Sequence, residues 1–337
     1  LDLRALALLL VLAGPVAAQP LRLATWDPGL TRDGPGLLMR DIAAHDPQVV
    51  AAARVIAAAQ PDAILLTGFD WDLDGRAQTG FADLLAELGH PMPHRFAGPG
   101  NRGLQTGHDL DGDGQGGEAS DAQGFGDFTG QKGLALLSRL PLGPVTDHSA
   151  TLWRDLPGHR MPDLDHADIR RLSGSAHWNI QLETPNGPLH LLAFAATPPA
   201  FEPQNVARNH DEAAFWMHHL PQAPFAVIGN LNVDPVDGDG NPAALRALLT
   251  VTHDPKPRGA FQPPQTGPNA DQKGDPALDT VEYDRPPGNL RLDYILPSQD
   301  LQVTASGVVW PAPGDPLAKP VAAASHRRLV WVDLDLE

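Results

Sequence analysis

The stretch spanning residues 225–235, Phe-Ala-Val-Ile-Gly-Asn-Leu-Asn-Val-Asp-Pro, restricts the possible folds more than any other part of the chain. An apolar run containing β-branched Val227 and Ile228 predicts a buried strand, which Gly229 releases into a polar tip. Asn230, Asn232 and Asp234 follow at alternate positions and are expected to face one way, and Asp234-Pro235 closes the turn. A buried strand that carries amides and a carboxylate to its C-terminal edge fits α/β proteins, which build their sites there. A strand ending in an ordinary turn is the plainer reading; the surrounding segments favour a site.

Residues 21–26 alternate and predict the first strand. Asp46 is placed as an N-cap with Pro47 at the first helical position, so a helix is expected from there to Gln60, where Pro61 stops it. Residues 63–66 read as a fully buried strand and 81–88 as a helix ending at Gly89. From 97 to 131 the chain turns rich in Gly and Asp and predicts a long ordered insertion. Strands are expected at 134–138, 177–182 and 189–194. A helix follows over 205–220, with Phe215, Trp216 and Leu220 inward and residues 208–212 on or near its outer face. A further helix at 243–249 and strands at 290–296, 303–310 and 329–334 complete the chain. About ten strands with four helices predict two packed sheets with helices outside, in one domain over 19–337.

Residues 1–18 combine Arg4, an apolar run and the small-residue end Val16-Ala17-Ala18, which predicts a signal peptide cut after Ala18 and a secreted or periplasmic protein. The run is too short to span a bilayer, and no membrane span is expected elsewhere. The chain has no cysteine, which excludes a disulfide-linked partner and thiolate metal sites. Its net charge of −17 argues against general nucleic-acid binding. Nothing in the sequence names a partner.

The order of several motifs then narrows the reading. Leu23-Ala24-Thr25-Trp26-Asp27, Pro61-Asp62-Ala63-Ile64-Leu65-Leu66 and Gly133-Leu134-Ala135-Leu136-Leu137-Ser138 come first. Gly229-Asn230-Leu231-Asn232, Arg291-Leu292-Asp293-Tyr294 and His326-Arg327-Arg328-Leu329-Val330 follow. Together they resemble the endonuclease/exonuclease/phosphatase superfamily. Ala196-Thr197-Pro198-Pro199, Arg208-Asn209-His210-Asp211-Glu212 and Trp310-Pro311-Ala312-Pro313 point to its secreted bacterial branch, some members of which are joined to phytase or phosphatase modules. The resemblance implies an α/β/β/α sandwich of two mixed sheets flanked by helices. It also implies metal-dependent phosphoester hydrolysis with Mg²⁺ on a Glu and neighbouring Asn and Asp residues, a His–Asp pair activating water, and a second His at the phosphate.

Carried onto this chain, the pattern keeps only Asn232 and Asp293. The first-strand Asn is Asp27, the metal-binding Glu falls on Gly68, the His before Thr197 falls on Ala195, and the Asp of the Gly-Asp-x-Asn motif is Asn230. At the C-terminus Ser-Asp-His becomes Ser325-His326-Arg327; a shift by one residue would put His326 in the catalytic place and Ser325 in that of the Asp. Gly68 offers no ligand, Ala195 no proton and Asn230 no charge, and Arg327 cannot act as a general base. A catalytically impaired protein, a pseudoenzyme or binding scaffold, is therefore expected. The rival expectation is an active phosphodiesterase or phosphatase in which Asp27, Asp70, Asp234 and Asp293 rebuild a carboxylate metal site.

Outside this set, Asp109, Asp111 and Asp113 with Gly114 match the opening of a calcium loop, although its twelfth position is Ser120. Ca²⁺ is the cofactor expected there, with Glu118 or Asp121 as further donors, against a solvated acidic loop as the plainer alternative. Asp70, Asp72 and Asp74 repeat the spacing as a weaker candidate. His210, His218 and His219 read as helix-surface histidines, and His177 before Trp178 resembles a family position near the site as readily as it reads as an ordinary strand histidine.

Overall fold

The computed structural model describes residues 20–336, so the expected leader at 1–18 lies outside the described residues. Two mixed sheets form the centre. The first contains six strands, β1 (Leu21–Trp26), β2 (Ala63–Phe69), β3 (His94–Phe96), β4 (Gly133–Ser138), β10 (Gln302–Val308) and β11 (Val330–Asp335), ordered β10-β11-β1-β2-β4-β3. The second runs β5-β6-β7-β8-β9, with β5 (Leu142–Asp147), β6 (His177–Thr184), β7 (Gly187–Ala195), β8 (Phe225–Asn230) and β9 (Asp293–Pro297). Within them β1 pairs with β2, and β7 with β8, in parallel; the other neighbours are antiparallel.

Strand alternation sorts the side chains into layers. Leu23, Leu65, Leu136 and Val332 of the first sheet meet Ile180, Leu191, Ile228 and Ile295 of the second in the seam between them. The opposite face of the first sheet, with Trp26 and Leu66, is covered by α1 (Leu37–Ala43), α2 (Pro47–Ala59), α3 (Arg76–Glu87) and α6 (Ala318–Ala324). Phe194 and Val227 on the far face of the second sheet pack under α4 (Asn205–Ala214), α5 (Ala243–Leu248) and the 3₁₀ turn Phe215–His218. The result is the four-layer α/β/β/α sandwich.

Several local expectations agree with this frame. Asp46 caps α2, its carboxylate accepting from the amides of Gln48 and Val49, and Pro47 is the first helical residue. Helix α3 begins at Arg76, earlier than expected, because Asp72 accepts from the amides of Arg76 and Ala77 and starts the helix. The helix expected over 205–220 is α for its first ten residues and then tightens into the 3₁₀ turn. The supposed outer face of α4 needs a larger correction: Asn209, Asp211 and Glu212 are buried. Each has loop partners there; Asp211 accepts from Trp153 Nε1 at 2.7 Å and from the Arg160 amide at 2.6 Å. Helices α1 and α6 and the short strand β3 had no sequence signal strong enough to predict them.

Gly229 holds the end of β8 against β7. Its φ is +134°, and a Cβ would overlap the Phe194 carbonyl oxygen across the parallel pairing. We expect Gly229→Ala to lower unfolding free energy by more than about 2 kcal/mol, through close contact and strained backbone. A urea midpoint within experimental error of the wild type would refute that account.

Candidate functional site

The C-terminal ends of β1, β2, β7 and β8 converge at one edge of the sandwich, where open α/β sheets place their sites. Asp27 follows β1 directly, Asn230 ends β8, and Asp293 starts β9 opposite Asn230. Both Asn230 and Asp293 are buried, and Asn230 donates from Nδ2 to Asp293 Oδ1 at 2.8 Å. An amide here turns what would be a carboxylate–carboxylate contact into a hydrogen bond. Thr280 donates its hydroxyl to Asp293 Oδ2 at 2.8 Å. Asn232 has φ +49°, a left-handed conformation that Asn tolerates. It donates to the Ala196 carbonyl at 2.6 Å and turns its Oδ1 towards the centre.

The cation at this centre is Arg327. Its Nη1 lies 3.3 Å from Asp293 Oδ2, its Nη2 donates to Asn232 Oδ1 at 3.2 Å, and its Nε is 3.7 Å from Asp27 Oδ2. The residue is buried. Burial works to lower its pKa, but the Asp293 and Asp27 charges prevail and raise it, so the guanidinium stays protonated. The backbone is fixed as firmly: Trp26 Nε1 donates to the Arg327 carbonyl at 3.0 Å, the Arg327 amide donates to Ser325 Oγ at 3.0 Å, and Val281 bridges to Arg327.

Gly68 lies beneath Asp27, and a Cβ there would overlap Asp27 Oδ1. The position of the expected metal-binding Glu is thus filled by the neighbouring carboxylate. A hard dication needs several free oxygen donors at short range. Here the carboxylates face a guanidinium and Gly68 contributes nothing, so the residue set does not fit the Mg²⁺ implied by the resemblance.

The remaining predicted residues scatter. Ala195 ends β7, buried and without a polar group. His326 is exposed, its ring 5.8 Å from that of Tyr283. Asp70 accepts from Thr31 Oγ1 and the amides of Arg32 and Lys132, all within 2.8 Å. With Asp72 occupied at α3, the Asp70-Asp72 pair serves turns. Asp234, expected to share a side with the two Asn residues, instead accepts from the amides of Val236, Asp237 and Arg291. Among the described residues, the acidic groups that approach closely enough to share an ion are Asp109, Asp111 and Asp121, and Asp111, Asp113 and Glu118, with donor atoms within 4.8 Å. His177 sits between Phe194 and Trp216, and burial lowers its pKa to about 3.

A profile of the Endonuclease/Exonuclease/phosphatase family matches residues 39–325. The chain belongs to that family. The endonuclease/exonuclease/phosphatase from Beutenbergia cavernae DSM 12333 superposes with a TM-score of 0.58 at 18% identity, covering 94% of this chain and 72% of that one. A family protein from Leptotrichia buccalis C-1013-b gives 0.55 at 14% identity, over 94% and 99% of the two chains. A Staphylococcus aureus beta toxin variant with bound magnesium ions gives 0.50 at 11% identity, over 93% and 99%. At these identities the likeness concerns the fold. No curated protein matches the chain.

Around this family fold the structure adds residues that sequence reading missed. Lys132 Nζ lies 3.6 Å from Asp27 Oδ2, brought there by a left-handed backbone just before β4. Buried Glu212 accepts from the amides of Gly174 at 2.6 Å and Thr197 at 2.5 Å, linking the loop before β6 to the Thr-Pro-Pro segment. Burial raises its pKa. The spacing of α4 signals an inward polar face only if a polar interior is assumed, which periodicity alone cannot supply.

Asp279 precedes Thr280 in the segment that supports Asp293. Burial, followed by the charges of Asp234, Asp237 and Asp275, raises its pKa to about 7. An unfolded Asp titrates near 3.9, so the native chain holds an extra proton between about pH 4 and pH 7. This contribution is fully present at low pH and is lost as pH rises through that window. Asp279→Asn should therefore be more stable than the wild type at pH 8, by about 2 kcal/mol, with the gap closing towards pH 4. Urea unfolding across that range checks the sign; a pH-independent difference would contradict it.

Proposed function

We propose that this protein is a catalytically impaired member of its family, exported from the cytoplasm and retained as a binding scaffold. The observation that carries this reading is the Arg327 guanidinium set among Asp27, Asn232 and Asp293. Phosphoester hydrolysis by metal-activated water needs a hard cation and a base near neutral pKa. Arg327 takes the counter-charge role, stays protonated, and faces the carboxylates that a dication would require. Asn230 is neutral, while Gly68 and Ala195 present neither ligand nor proton. The rival, a rebuilt site on Asp27, Asp70, Asp234 and Asp293, is weakened because Asp70 and Asp234 already serve main-chain amides.

Purified protein should show no turnover of a generic phosphodiester or phosphomonoester with Mg²⁺, Mn²⁺ or Ca²⁺ above the chelator blank. Metal-dependent turnover that Asn232→Ala and Asp293→Ala both abolish would overturn the proposal.

The reading includes Ca²⁺ in the 109–121 loop as a structural ion. Asp109, Asp111 and Asp121 support it by their proximity, and Asp113 raises the pKa of exposed Glu118 by repulsion, as excess negative charge would. Some capacity is already used, since Asp121 accepts from the amides of Leu110, Gly117 and Glu118. Saturating Ca²⁺ should raise the melting temperature by several degrees, as about 100 Kd of ligand adds about 2.7 kcal/mol. Asp111→Asn, which touches both acidic groups, should remove most of that rise. An equal rise in both proteins would exclude the loop as its origin.

A further inference from the structure

Beside the Arg327 centre opens a cavity of about 470 Å³, walled by the insertion, by the loop carrying Arg170 and Arg171, and by α4. Five cations line it in an otherwise acidic protein: Arg102, Lys132, Arg170, Arg171 and Arg208. Their partners set them apart. The buried arginines elsewhere meet carboxylates, as Arg291 does with Asp254, Arg328 with Glu282 and Arg327 with Asp293.

The four cavity arginines are bound instead by neutral oxygens. Arg208 donates to the carbonyls of Leu172 at 2.9 Å, Gln123 at 2.5 Å and Arg171 at 3.0 Å. Arg170 donates to the carbonyls of Asp165 at 2.8 Å and Leu110 at 2.5 Å, and Arg171 to Asn101 Oδ1 at 2.8 Å. Arg102 has one long contact, 3.4 Å to the Phe125 carbonyl, and its buried Nε has no hydrogen-bond partner. Carbonyl partners orient a guanidinium without neutralising it, and a desolvated cation left without an anion is costly. Lys132 faces Asp27, and Asp165, Glu202 and Glu212 oppose the arginines, so five cations face four carboxylates; Asp27 is shared with Arg327 and burial raises the Glu212 pKa, which leaves positive charge in excess.

The walls are also apolar. Trp153, Leu110 and Pro198 contribute to the lining, and Phe125 and Phe201 stand at it 67% and 92% exposed. They are the two exposed large aromatic residues among the described residues, and both belong to this cavity. Exposed aromatics beside unmatched cations suit a ligand with an apolar body and an anionic head.

We propose that this cavity binds a small amphipathic organic anion carrying at least two negative charges, its head on Arg102 and the neighbouring arginines and its body against Phe125 and Phe201. This rests on the reading above, since the ligand is retained rather than hydrolysed. The head group is a phosphoryl or dicarboxylate dianion; Arg forks accept either.

The test is calorimetric titration of the full-length mature protein in chelator with phenylphosphonate, phthalate, inorganic phosphate and benzenesulfonate. Phenylphosphonate or phthalate should bind, and whichever is tighter identifies the head group. Inorganic phosphate, lacking the body, and benzenesulfonate, with one charge, should each bind about tenfold more weakly than the better dianion. Arg102→Gln should weaken that dianion at least about tenfold without lowering the melting temperature, because the Arg102 side chain makes one long hydrogen bond and its buried charge is costly. Phe201→Ala should weaken the aryl ligands and leave phosphate unaffected. Exposed Arg246, away from the cavity, supplies the control Arg246→Ala. No binding by either aryl dianion, or equal binding to the Arg102 and Arg246 variants, would overturn the proposal. These titrations are metal-free, so their failure leaves the impaired-enzyme reading standing. Metal-dependent hydrolysis of phenyl phosphate would instead overturn that reading.

Discussion

A buried guanidinium surrounded by carboxylate and amide oxygens is the constraint on which the edge of this sandwich depends. Asp27 and Asp293 come from different sheets, and both lie where little water can reach them. Without a cation between them the two charges would repel across the seam; with Arg327 in place they tie the end of β1 to the start of β9. Such a pair adds little net stability over an apolar replacement, but losing one member strands the other as a buried charge. The surrounding contacts follow from that demand. Trp26 holds the Arg327 carbonyl, Thr280 orients Asp293, and Asn230 donates where a carboxylate would have added a further negative charge.

The same edge therefore carries two electrostatic regimes side by side. In the centre, positive charge is matched internally and the arrangement is closed. In the adjoining cavity, arginines are oriented by carbonyls and their charge is only partly matched by nearby carboxylates. Lys132 stands on the boundary. Asp27 raises its pKa, yet burial and the Arg102 and Arg327 charges outweigh it and leave the pKa lowered. The acidic surface, with a net charge of −17, surrounds a local positive pocket, and that contrast favours selection of a small anion over a long polyanion.

Much of the architecture could be read in the sequence because strand alternation and helix caps are local. The run around Val227 and Ile228 and the Asp46-Pro47 start both appear where their chemistry puts them. Family order supplied the pairing of sheets that composition could not. What escaped was information held between distant segments. Helix α4 looked polar outside because periodicity ranks residues by hydropathy; loop amides and Trp153 make the polar side the inner one. The cavity arginines come from the insertion, a loop and a helix, with no shared motif to mark them. Asp234 has the right spacing to join Asn230 and Asn232, but the Arg291 amide captures it first.

The overlap between Gly68 and Asp27 makes the two positions interdependent. A side chain does not fit at position 68 while the Asp27 carboxylate occupies that space, and Asp27 is held in turn by Gly29 and the cations around it. Removing Arg327 alone would leave two buried anions, and adding a glutamate alone would collide with one of them. Each of these single changes would leave a damaged protein, so positions 27, 68 and 327 are coupled: none accepts a different side chain unless the others change with it.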